Sequence, residues 1–208
     1  MLGMSSPMSG TKGVPRADRT EQILAVAIDE FAERGYSGAS MVTIATAAGI
    51  SKPLIYQYFG SKDGLYLACL NHVAEGLFDR LAVARSEEIN SDESVVSRVR
   101  TLGHIFQALE PQRHAWRLLY DSTMPTTGEI GDAARAYQAN TSELAFTGSE
   151  RFLAARGLFD TGDASVLTAL WMGLVNSVVS WWIEHPDESA DAMTQRCYRL
   201  LAAVSLGA

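Results

Sequence analysis

The feature that most constrains this chain is a short segment in its first third that has the pattern of two small helices around a tight turn. It covers residues 40–62, SMVTIATAAGISKPLIYQYFGSK. Ser40 and Ser51 stand where a hydroxyl can cap the start of each helix. Gly49 stands where the chain must turn sharply, and glycine adopts positive φ without steric cost. Four apolar residues have the spacing to hold the two helices together: Ile44, Ala48, Ile50 and Ile55.

This segment predicts a helix-turn-helix, in which the second helix enters the major groove of DNA. We predict base-edge or groove contact for Lys52, Leu54 and Gln57, with Pro53 beside them on the outer face. Lysine can donate to guanine, glutamine can pair with adenine, and leucine can meet the methyl group of thymine. A helical hairpin without a nucleic-acid role is the alternative. Five residues carry hydroxyl or amine donors suited to phosphates: Thr43, Ser51, Tyr56, Tyr58 and Lys62.

The segment IATAAGISKPLIYQYFGSKDGL resembles the DNA-binding signature of the tetracycline-repressor (TetR) family of bacterial regulators. With the helix before it, the resemblance covers about a quarter of the chain, and the remainder is similar only in length and helical pattern. It implies a homodimeric regulator, usually a repressor released by a small ligand, and it supports phosphate-facing positions for Tyr56, Tyr58 and Lys62. The matching residues are Ile44-Ala45, Ala48-Gly49-Ile50-Ser51, Tyr56, Phe59, Lys62 and Leu65.

Two positions depart from the family pattern. Val42 stands where some relatives carry a base-reading arginine, so the first helix of the motif is expected to read little sequence. Tyr58 stands where a histidine is common, which keeps a donor but lengthens its reach. With Lys52 as the unopposed cation of the recognition helix, one domain should bind DNA weakly. Two symmetry-related domains would read half-sites about one helical turn apart.

The charge distribution agrees with a DNA-binding first third, although the net charge is −7. Residues 1–62 hold six Lys/Arg and five Asp/Glu, a balance of +1, and residues 63–208 hold eleven and nineteen, a balance of −8. Salt screens charges beyond about 10 Å, so the local charge near the phosphates matters more than the total. The acidic surplus therefore lies outside the motif.

The pattern of helix signals predicts an all-α chain of about nine helices in three parts. Residues 1–17 are rich in Gly, Ser and Pro, contain no signal-peptide pattern, and are predicted to be a disordered tail. Residues 18–62 are predicted to form the DNA-binding domain, and the resemblance implies a ligand-binding and dimerisation domain in residues 63–208. Three basic residues near the start have two interpretations, an arm that enters a minor groove or a solvated tail: Lys12, Arg16 and Arg19.

Helix boundaries are predicted from caps, breakers and apolar spacing. A capping box at Asp18 starts the first helix, Gly35 ends it, Ser61 caps the fourth, Pro111 breaks the chain, and Asp163 caps the eighth. The fourth helix should run from the DNA-binding domain into the body and act as the lever between them. A polar loop is predicted at 85–94. The predicted helices are 19–34, 41–47, 52–58, one after Gly60, 95–109, 112–122, 132–156, 164–184 and 188–206.

Helix 164–184 is the most apolar stretch of the chain. Its serines, Thr168 and Asn176, together with the lack of a basic flank, argue against a membrane span. A helix that is apolar nearly all round must be buried, either in the chain's own core or against a second subunit. The resemblance implies that this helix and the last one pair with their copies in a four-helix dimer interface. Gly173 and Ser177 would let two backbones approach closely.

The body is expected to hold a site for an apolar or amphipathic ligand of unknown identity, because members of the family usually bind one. Pockets of this type are mostly apolar with a few polar groups. Aromatic residues at helical spacing are often core only, and His104 is more often a core or rim histidine than a ligand contact. The candidate lining residues are His104, Gln107, Trp116, Tyr120, Met124, Tyr137, Trp171, Met172 and Asn176.

No chemistry beyond binding is indicated. Cys69 and Cys197 fall on apolar helical stripes, which predicts buried free thiols in a reducing cytoplasm. The cysteines and histidines show no metal spacing, and no phosphate loop, H-E-x-x-H or G-x-S-x-G motif occurs. We therefore expect no cofactor, no metal and no enzyme activity. The competing hypothesis is a small-molecule-binding helical protein or enzyme whose DNA module is vestigial.

Overall fold

The described part of the chain is helical from end to end. The computed structural model describes residues 15–88 and 95–205, and within these ranges it contains nine α-helices, one 3-10 helix and no strand. The prediction of an all-α fold with about nine helices is therefore confirmed. The elements are α1 (Arg16–Gly38), α2 (Met41–Ala47), α3 (Lys52–Phe59), α4 (Lys62–Glu88), α5 (Val95–Leu109), the 3-10 helix (Glu110–Ala115), α6 (Trp116–Leu119), α7 (Gly128–Ala154), α8 (Thr161–Ile183) and α9 (Ala190–Ser205).

The first helix begins earlier than predicted. It starts at Arg16 with Pro15 in the N-cap position and no side-chain cap, so the predicted capping box at Asp18 is wrong. Proline has a fixed φ that suits the start of a helix. Arg16 is therefore helical, and Arg19 is 4% exposed, so neither belongs to a disordered arm. The predicted tail up to residue 14, with Lys12, lies outside the described residues.

The predicted helix 112–122 is replaced by two shorter elements, the 3-10 helix and α6. Gln112 leaves the helical region with φ −151° and ψ 69°. Its side-chain amide donates to the backbone oxygen of Ala25 at 2.6 Å and to Oδ1 of Asp29 at 2.8 Å, both on α1. These contacts with α1 favour the irregular backbone over a continuous helix, and no local sequence signal reports them.

Several other helix ends differ from the predicted ones. The helix α4 continues to Glu88, into the segment predicted as a loop, and residues 89–94 lie outside the described ranges. Asp160, rather than Asp163, caps α8, because its Oδ1 accepts the Asp163 amide N–H at 3.0 Å. Ser61 caps α4 as predicted, accepting the amide N–H of Gly64 at 2.9 Å.

Buried side chains join the first helices to the body of the protein in one continuous core. In this core Phe31 of α1 packs edge-on against Tyr66 of α4, with ring centroids 4.9 Å apart. Further along the chain, Phe106 of α5 packs against Trp182 of α8 at 5.1 Å. Both cysteines are free and buried, as predicted.

A set of hydrogen bonds also ties the end of α1 to the segment after α6. We call Tyr36, Ser37, Tyr66, Asp121 and Thr123 the Asp121 cluster. Oδ2 of Asp121 accepts the Tyr36 amide N–H at 2.6 Å and the Tyr66 hydroxyl at 3.1 Å. Oγ1 of Thr123 accepts the Ser37 amide N–H at 3.3 Å, and the backbone oxygen of Thr123 accepts the Ser37 hydroxyl at 3.2 Å. The cluster therefore connects the end of α1 and the helix α4 with the segment between α6 and α7.

Candidate nucleic-acid interface and ligand cavity

The predicted helix-turn-helix is present as α2 and α3. Oγ of Ser40 accepts the amide N–H groups of Val42 and Thr43, which confirms the predicted cap. Ser51 holds the N-cap position of α3, but its hydroxyl makes no capping hydrogen bond. Gly49 has φ +65°, as the predicted turn requires. The inward apolar residues behave as predicted: Ile44, Ala48 and Ile55 are buried, and Ile50 packs against the core.

The outer face of α3 is open to solvent. Lys52 and Tyr56 lie one turn apart on this face, with the ammonium nitrogen 5.7 Å from the centre of the ring, and Tyr56 is 38% exposed. Leu54, Tyr58 and Lys62 are half-buried. Of the nine predicted DNA contacts, the structure leaves six exposed: Thr43, Ser51, Lys52, Pro53, Tyr56 and Gln57.

Two basic residues beside this face have roles that sequence reasoning missed. The ammonium group of Lys62 donates to the backbone oxygen of Ala39 at 2.8 Å and lies 4.9 Å from the centre of the Tyr36 ring. A lysine has three donors, so this contact leaves two for a phosphate. Arg16, at the start of α1, lies over the ring of Tyr58 at 5.1 Å. It therefore adds a positive charge next to α3, which the tail interpretation did not foresee.

The face carries no acidic side chain of its own, since residues 40–62 contain neither Asp nor Glu. Its cations are Lys52 and Lys62, with Arg16 alongside. A DNA phosphate approaching α3 therefore meets only neutral or positive groups from the motif, which favours binding at short range.

A partly open cavity of about 130 Å³ lies in the body between α4, α5, α7 and α8, with α6 at one end. Its walls are mostly aliphatic and aromatic. Four of the nine predicted ligand residues line it, namely Trp116, Tyr137, Trp171 and Met172. The polar lining residues were not predicted: Ser97, Arg98, Thr101, Thr141 and Arg151.

A more open cleft of about 700 Å³ lies beside this cavity, between α7 and α8. The two share Tyr137, Thr141 and Met172 as lining residues, whereas Tyr120 lines the cleft and not the cavity. Asn176 is exposed and is not in the described lining of either space, but its Oδ1 accepts the indole N–H of Trp116 at 3.2 Å. The remaining predicted residues, His104, Gln107 and Met124, are not part of the described lining of either space.

The Tyr137 hydroxyl is the polar group buried where the cavity and the cleft meet. The residue is 5% exposed, and its hydroxyl lies near the side chains of Tyr120 and Thr141 without a hydrogen bond of normal geometry to either. Burial raises the pKa of Tyr137, and the nearby Tyr120 raises it further. An unsatisfied buried hydroxyl costs about 1–3 kcal/mol. A ligand that accepts or donates a hydrogen bond there would recover part of that cost.

The helix α8 leaves much of its apolar surface uncovered within one chain. Val166 is 62% exposed and Leu170 is 66% exposed, and Trp181 continues the same surface towards the end of the helix. Leu200 of α9 is 59% exposed. Among the described helices, α8 is the one with the length and hydropathy of a membrane span, a criterion that a core helix of a soluble protein also meets.

No metal centre is formed by the residues that the structure describes, since no three His, Cys, Asp or Glu side chains come close enough together. The described residues instead form two binding surfaces: an exposed helix with hydrogen-bond donors at one end, and an apolar cavity with polar groups in the body. An all-helical fold with an exposed second helix of a helix-turn-helix and a separate cavity is the architecture found in helix-turn-helix regulators.

Comparison with known proteins finds similar bacterial regulators. Residues 23–69 match the family model of bacterial regulatory proteins of the tetR family. The chain is 30% identical over 131 residues to the transcriptional activator FasR of Mycolicibacterium smegmatis, covering 62% of this chain and 58% of that one. It is 34% identical over 110 residues to the regulator HbdR of Aromatoleum sp., covering 51% and 45%. The chain thus spans about half the length of these curated relatives.

Solved structures extend the likeness to nearly the whole chain. A TetR-like regulator from Rhodococcus sp. RHA1 is 26% identical, covers 91% of this chain and 99% of its own, and superposes with a TM-score of 0.65. FadR from Bacillus subtilis, solved in complex with stearoyl-CoA, has the same fold at 15% identity, with coverage of 87% and 96% and a TM-score of 0.65. Residues 23–69 thus match the DNA-binding segment of the tetR family of bacterial regulatory proteins, and the fold of the chain is similar to that of TetR-like regulators.

Proposed function

We propose that this protein is a sequence-specific transcription regulator that binds a palindromic DNA operator as a homodimer. The observation that carries the proposal is the exposed, acid-free face of α3, with Lys52, Tyr56 and Gln57 open to solvent. Helices presented in this way read base edges in the major groove and use neighbouring donors to hold phosphates. Such a regulator acts in the cytoplasm, where bacterial DNA lies.

The homodimer is proposed to form through α8 and α9. Val166, Leu170 and Trp181 leave an exposed apolar surface along one face of α8, and contiguous surfaces of this kind mark protein–protein contacts. Gly173 and Ser177 are exposed on the same helix, so a second backbone can approach there. A twofold partner that covers this surface buries it on both copies at once and sets the distance between the two recognition helices.

We further propose that a small ligand in the body controls DNA binding and that the protein is a repressor released by it. Support comes from the cavity beside Trp116 and Tyr137, and from two neighbours of the same fold described in complex with acyl-CoA. One of these, AibR, was solved with isovaleryl coenzyme A and operator DNA. A coupling free energy of about 1–3 kcal/mol between ligand and operator would change affinity 5–150-fold.

The Asp121 cluster gives this coupling a physical route. Tyr120 lines the cleft and packs on Trp116 with ring centroids 5.0 Å apart. The next residue, Asp121, holds Tyr36 and Tyr66. A ligand that displaces Tyr120 would therefore act on groups that position α1 and α4, and through them on α3.

Fluorescence anisotropy on DNA from upstream of the protein's own gene tests the DNA-binding proposal. Nanomolar binding to one palindromic segment, with log K falling linearly against log salt, is expected. Lys52→Ala combined with Tyr56→Phe should weaken this binding at least tenfold and leave the oligomeric state unchanged. Arg80→Ala, an exposed cation on α4, is the matched control and should have little effect. Unchanged binding in the double variant would contradict the assigned face.

Sedimentation tests the dimer separately. The wild-type protein should sediment as a dimer at micromolar concentration, and Leu170→Glu, which places a charge on the uncovered surface, should shift it towards one chain of 22.5 kDa. Ala139→Glu puts the same charge on an exposed position of α7 and should leave the dimer intact. A wild-type protein that sediments as a single chain would refute the proposed interface.

A further inference from the structure

Three hydroxyl groups lie close together where the cavity meets the open cleft. Tyr137 lines both spaces, and its hydroxyl lies near the side chains of Tyr120 and Thr141. The Thr141 hydroxyl already donates to the backbone oxygen of Tyr137 at 2.8 Å. The Tyr137 hydroxyl, in contrast, is buried and makes no hydrogen bond of normal geometry within the described part of the chain. A ligand oxygen placed beside it would give this hydroxyl the partner that burial otherwise denies it.

The size of the cavity limits what can enter beside this hydroxyl. Its volume is about 130 Å³. An apolar cavity of about 150 Å³ binds one molecule of benzene. The part of a ligand that lies inside the cavity is therefore about one ring in size, and a fused ring system or a long chain does not fit there.

A glycine helps to keep this space open. Gly148 lies within α7 and lines the cavity. A Cβ at this position would meet no side chain and no other helix within 4 Å among the described residues, so packing does not require a glycine here. Glycine inside a helix lowers stability relative to alanine. A larger residue at this position would place its side chain in the cavity, so the glycine leaves room for a ligand.

Aromatic side chains form part of the cavity wall. Trp116, Tyr137 and Trp171 each line the space. The indole N–H of Trp116 is already bound to Oδ1 of Asn176 at 3.2 Å, so this residue offers its ring rather than a donor. Aromatic rings attract one another in edge-to-face and offset arrangements beyond the effect of the area they bury. The wall therefore favours an aromatic ring over an aliphatic ring of the same size.

We propose that the ligand of this site is a small aromatic molecule of one ring that carries a hydroxyl or carbonyl oxygen. Its ring lies in the cavity beside Trp116 and Gly148, and its oxygen accepts the Tyr137 hydroxyl at the junction with the cleft. Burial raises the pKa of Tyr137, so this hydroxyl keeps its proton at ordinary pH and can donate it. This inference rests on the proposed ligand-controlled function and names the ligand class for it.

Isothermal titration calorimetry of the full chain tests the proposal with four probes: phenol, toluene, cyclohexanol and 2-naphthol. Phenol should bind at least about twofold more tightly than cyclohexanol, which has a hydroxyl and a similar size but no aromatic ring. 2-Naphthol should bind more weakly than phenol although it is more apolar, because its second ring exceeds the cavity. No binding of phenol at millimolar concentration, or equal or tighter binding of cyclohexanol or 2-naphthol, would overturn the proposal.

Removing the hydroxyl tests its contact with the ligand. In Tyr137→Phe the affinity for phenol relative to that for toluene should fall about fivefold or more, because the phenol oxygen loses its partner and toluene has no oxygen. Toluene has the shape of phenol, so its retained binding would show that the cavity is intact. An unchanged ratio of the two affinities would overturn the role of Tyr137.

Filling the cavity tests the position of the ring. Gly148→Leu should weaken phenol binding at least tenfold, because the new side chain occupies the space that the ring needs. Gly76→Leu is the matched control: Gly76 is exposed on α4, a Cβ there also meets nothing within 4 Å, and the residue is not in the described lining of the cavity. This control should bind phenol as wild type does. Unchanged phenol affinity in Gly148→Leu would overturn the proposed position.

Operator binding measured on the same preparations keeps the two proposals apart. Intact wild-type DNA binding together with no binding of phenol would refute the ligand class and leave the regulator proposal standing. Phenol binding that depends on Tyr137 and Gly148, without binding to any operator, would refute the regulator proposal and leave the ligand class standing. Phenol that releases the operator from wild type, but not from Gly148→Leu, would support both.

Discussion

Replacing Asp121 should lower the stability of the fold far more than replacing an ordinary surface carboxylate. Its carboxylate accepts four hydrogen bonds: Oδ2 takes the Tyr36 amide N–H and the Tyr66 hydroxyl, and Oδ1 takes the amide N–H and the hydroxyl of Thr123, both at 2.7 Å. Burial raises the pKa of Tyr66, and the charge of Asp121 raises it further. The Tyr66 hydroxyl therefore remains a neutral donor to the carboxylate at ordinary pH.

Asp121→Asn keeps the shape of the side chain and replaces one acceptor oxygen by a donor. If the amide oxygen stays with Thr123, the amide nitrogen faces the N–H of Tyr36 and that bond is lost. A buried donor without a partner costs about 1–3 kcal/mol, and the remaining bonds change from charge-assisted to neutral at about 1 kcal/mol each. Because such terms do not add fully, we expect a loss of about 2–4 kcal/mol.

Thermal unfolding followed by circular dichroism at fixed protein concentration measures this loss. For a chain of this length 1 kcal/mol lowers Tm by about 2–4 °C, so the variant should melt about 5–15 °C below wild type. Asp132→Asn is the control, because Asp132 is an exposed carboxylate paired with Arg135 and should change stability by about 0.5 kcal/mol or less. A Tm within about 2 °C of wild type for Asp121→Asn would refute the reasoning.

Three further predictions concern single groups. Gly35 has φ +67°, and a Cβ there would lie 2.5 Å from Oγ1 of Thr123. Gly35→Ala should therefore lower the free energy of unfolding, measured by urea denaturation, by more than the roughly 1 kcal/mol of left-handed strain. An unchanged free energy of unfolding would contradict the contact. The hydrogen bond to Asp63 raises the pKa of Tyr36 to about 12. The stability that this bond contributes is therefore complete below pH 10 and is lost as the pH rises towards 12. Tyr36→Phe should remove this loss of stability between pH 10 and 12, and a pH dependence identical to that of wild type would contradict the prediction. Burial raises the pKa of Cys69, so this thiol should react with a disulfide reagent only after unfolding; fast native reaction, compared against the Cys69→Ala variant, would exclude the buried position.

The helix-turn-helix was predictable because its signals act over short distances. The cap at Ser40 reaches residues two and three positions ahead, and Gly49 needs only its own backbone freedom. The apolar spacing that buries Ile44 and Ile55 lies within one stretch of 23 residues. Local geometry of this kind depends only on neighbouring residues, so it can be predicted from the sequence pattern.

Errors arose where several local signals were equally good. Asp160 and Asp163 are both acceptable caps for α8, and the choice depends on the residue at which the helix begins. The pattern after Pro111 is compatible with a helix, yet Gln112 bonds to α1 and the backbone becomes irregular. In both cases the deciding contact lies outside the window that a helical pattern uses.

The features of the candidate sites likewise separate into those set by neighbouring residues and those set by long-range contacts. The sequence by itself determined that the chain is helical, that α2 and α3 form a DNA-binding motif, and that α8 is too apolar to stand alone, because periodicity and caps are properties of adjacent residues. Only the tertiary structure decided that Lys62 bonds to Ala39, 23 residues away, and that Asp121 holds Tyr36, 85 residues away. It alone brought Arg98 and Arg151 to one cavity, because the side chains that meet there come from helices whose packing no local pattern encodes.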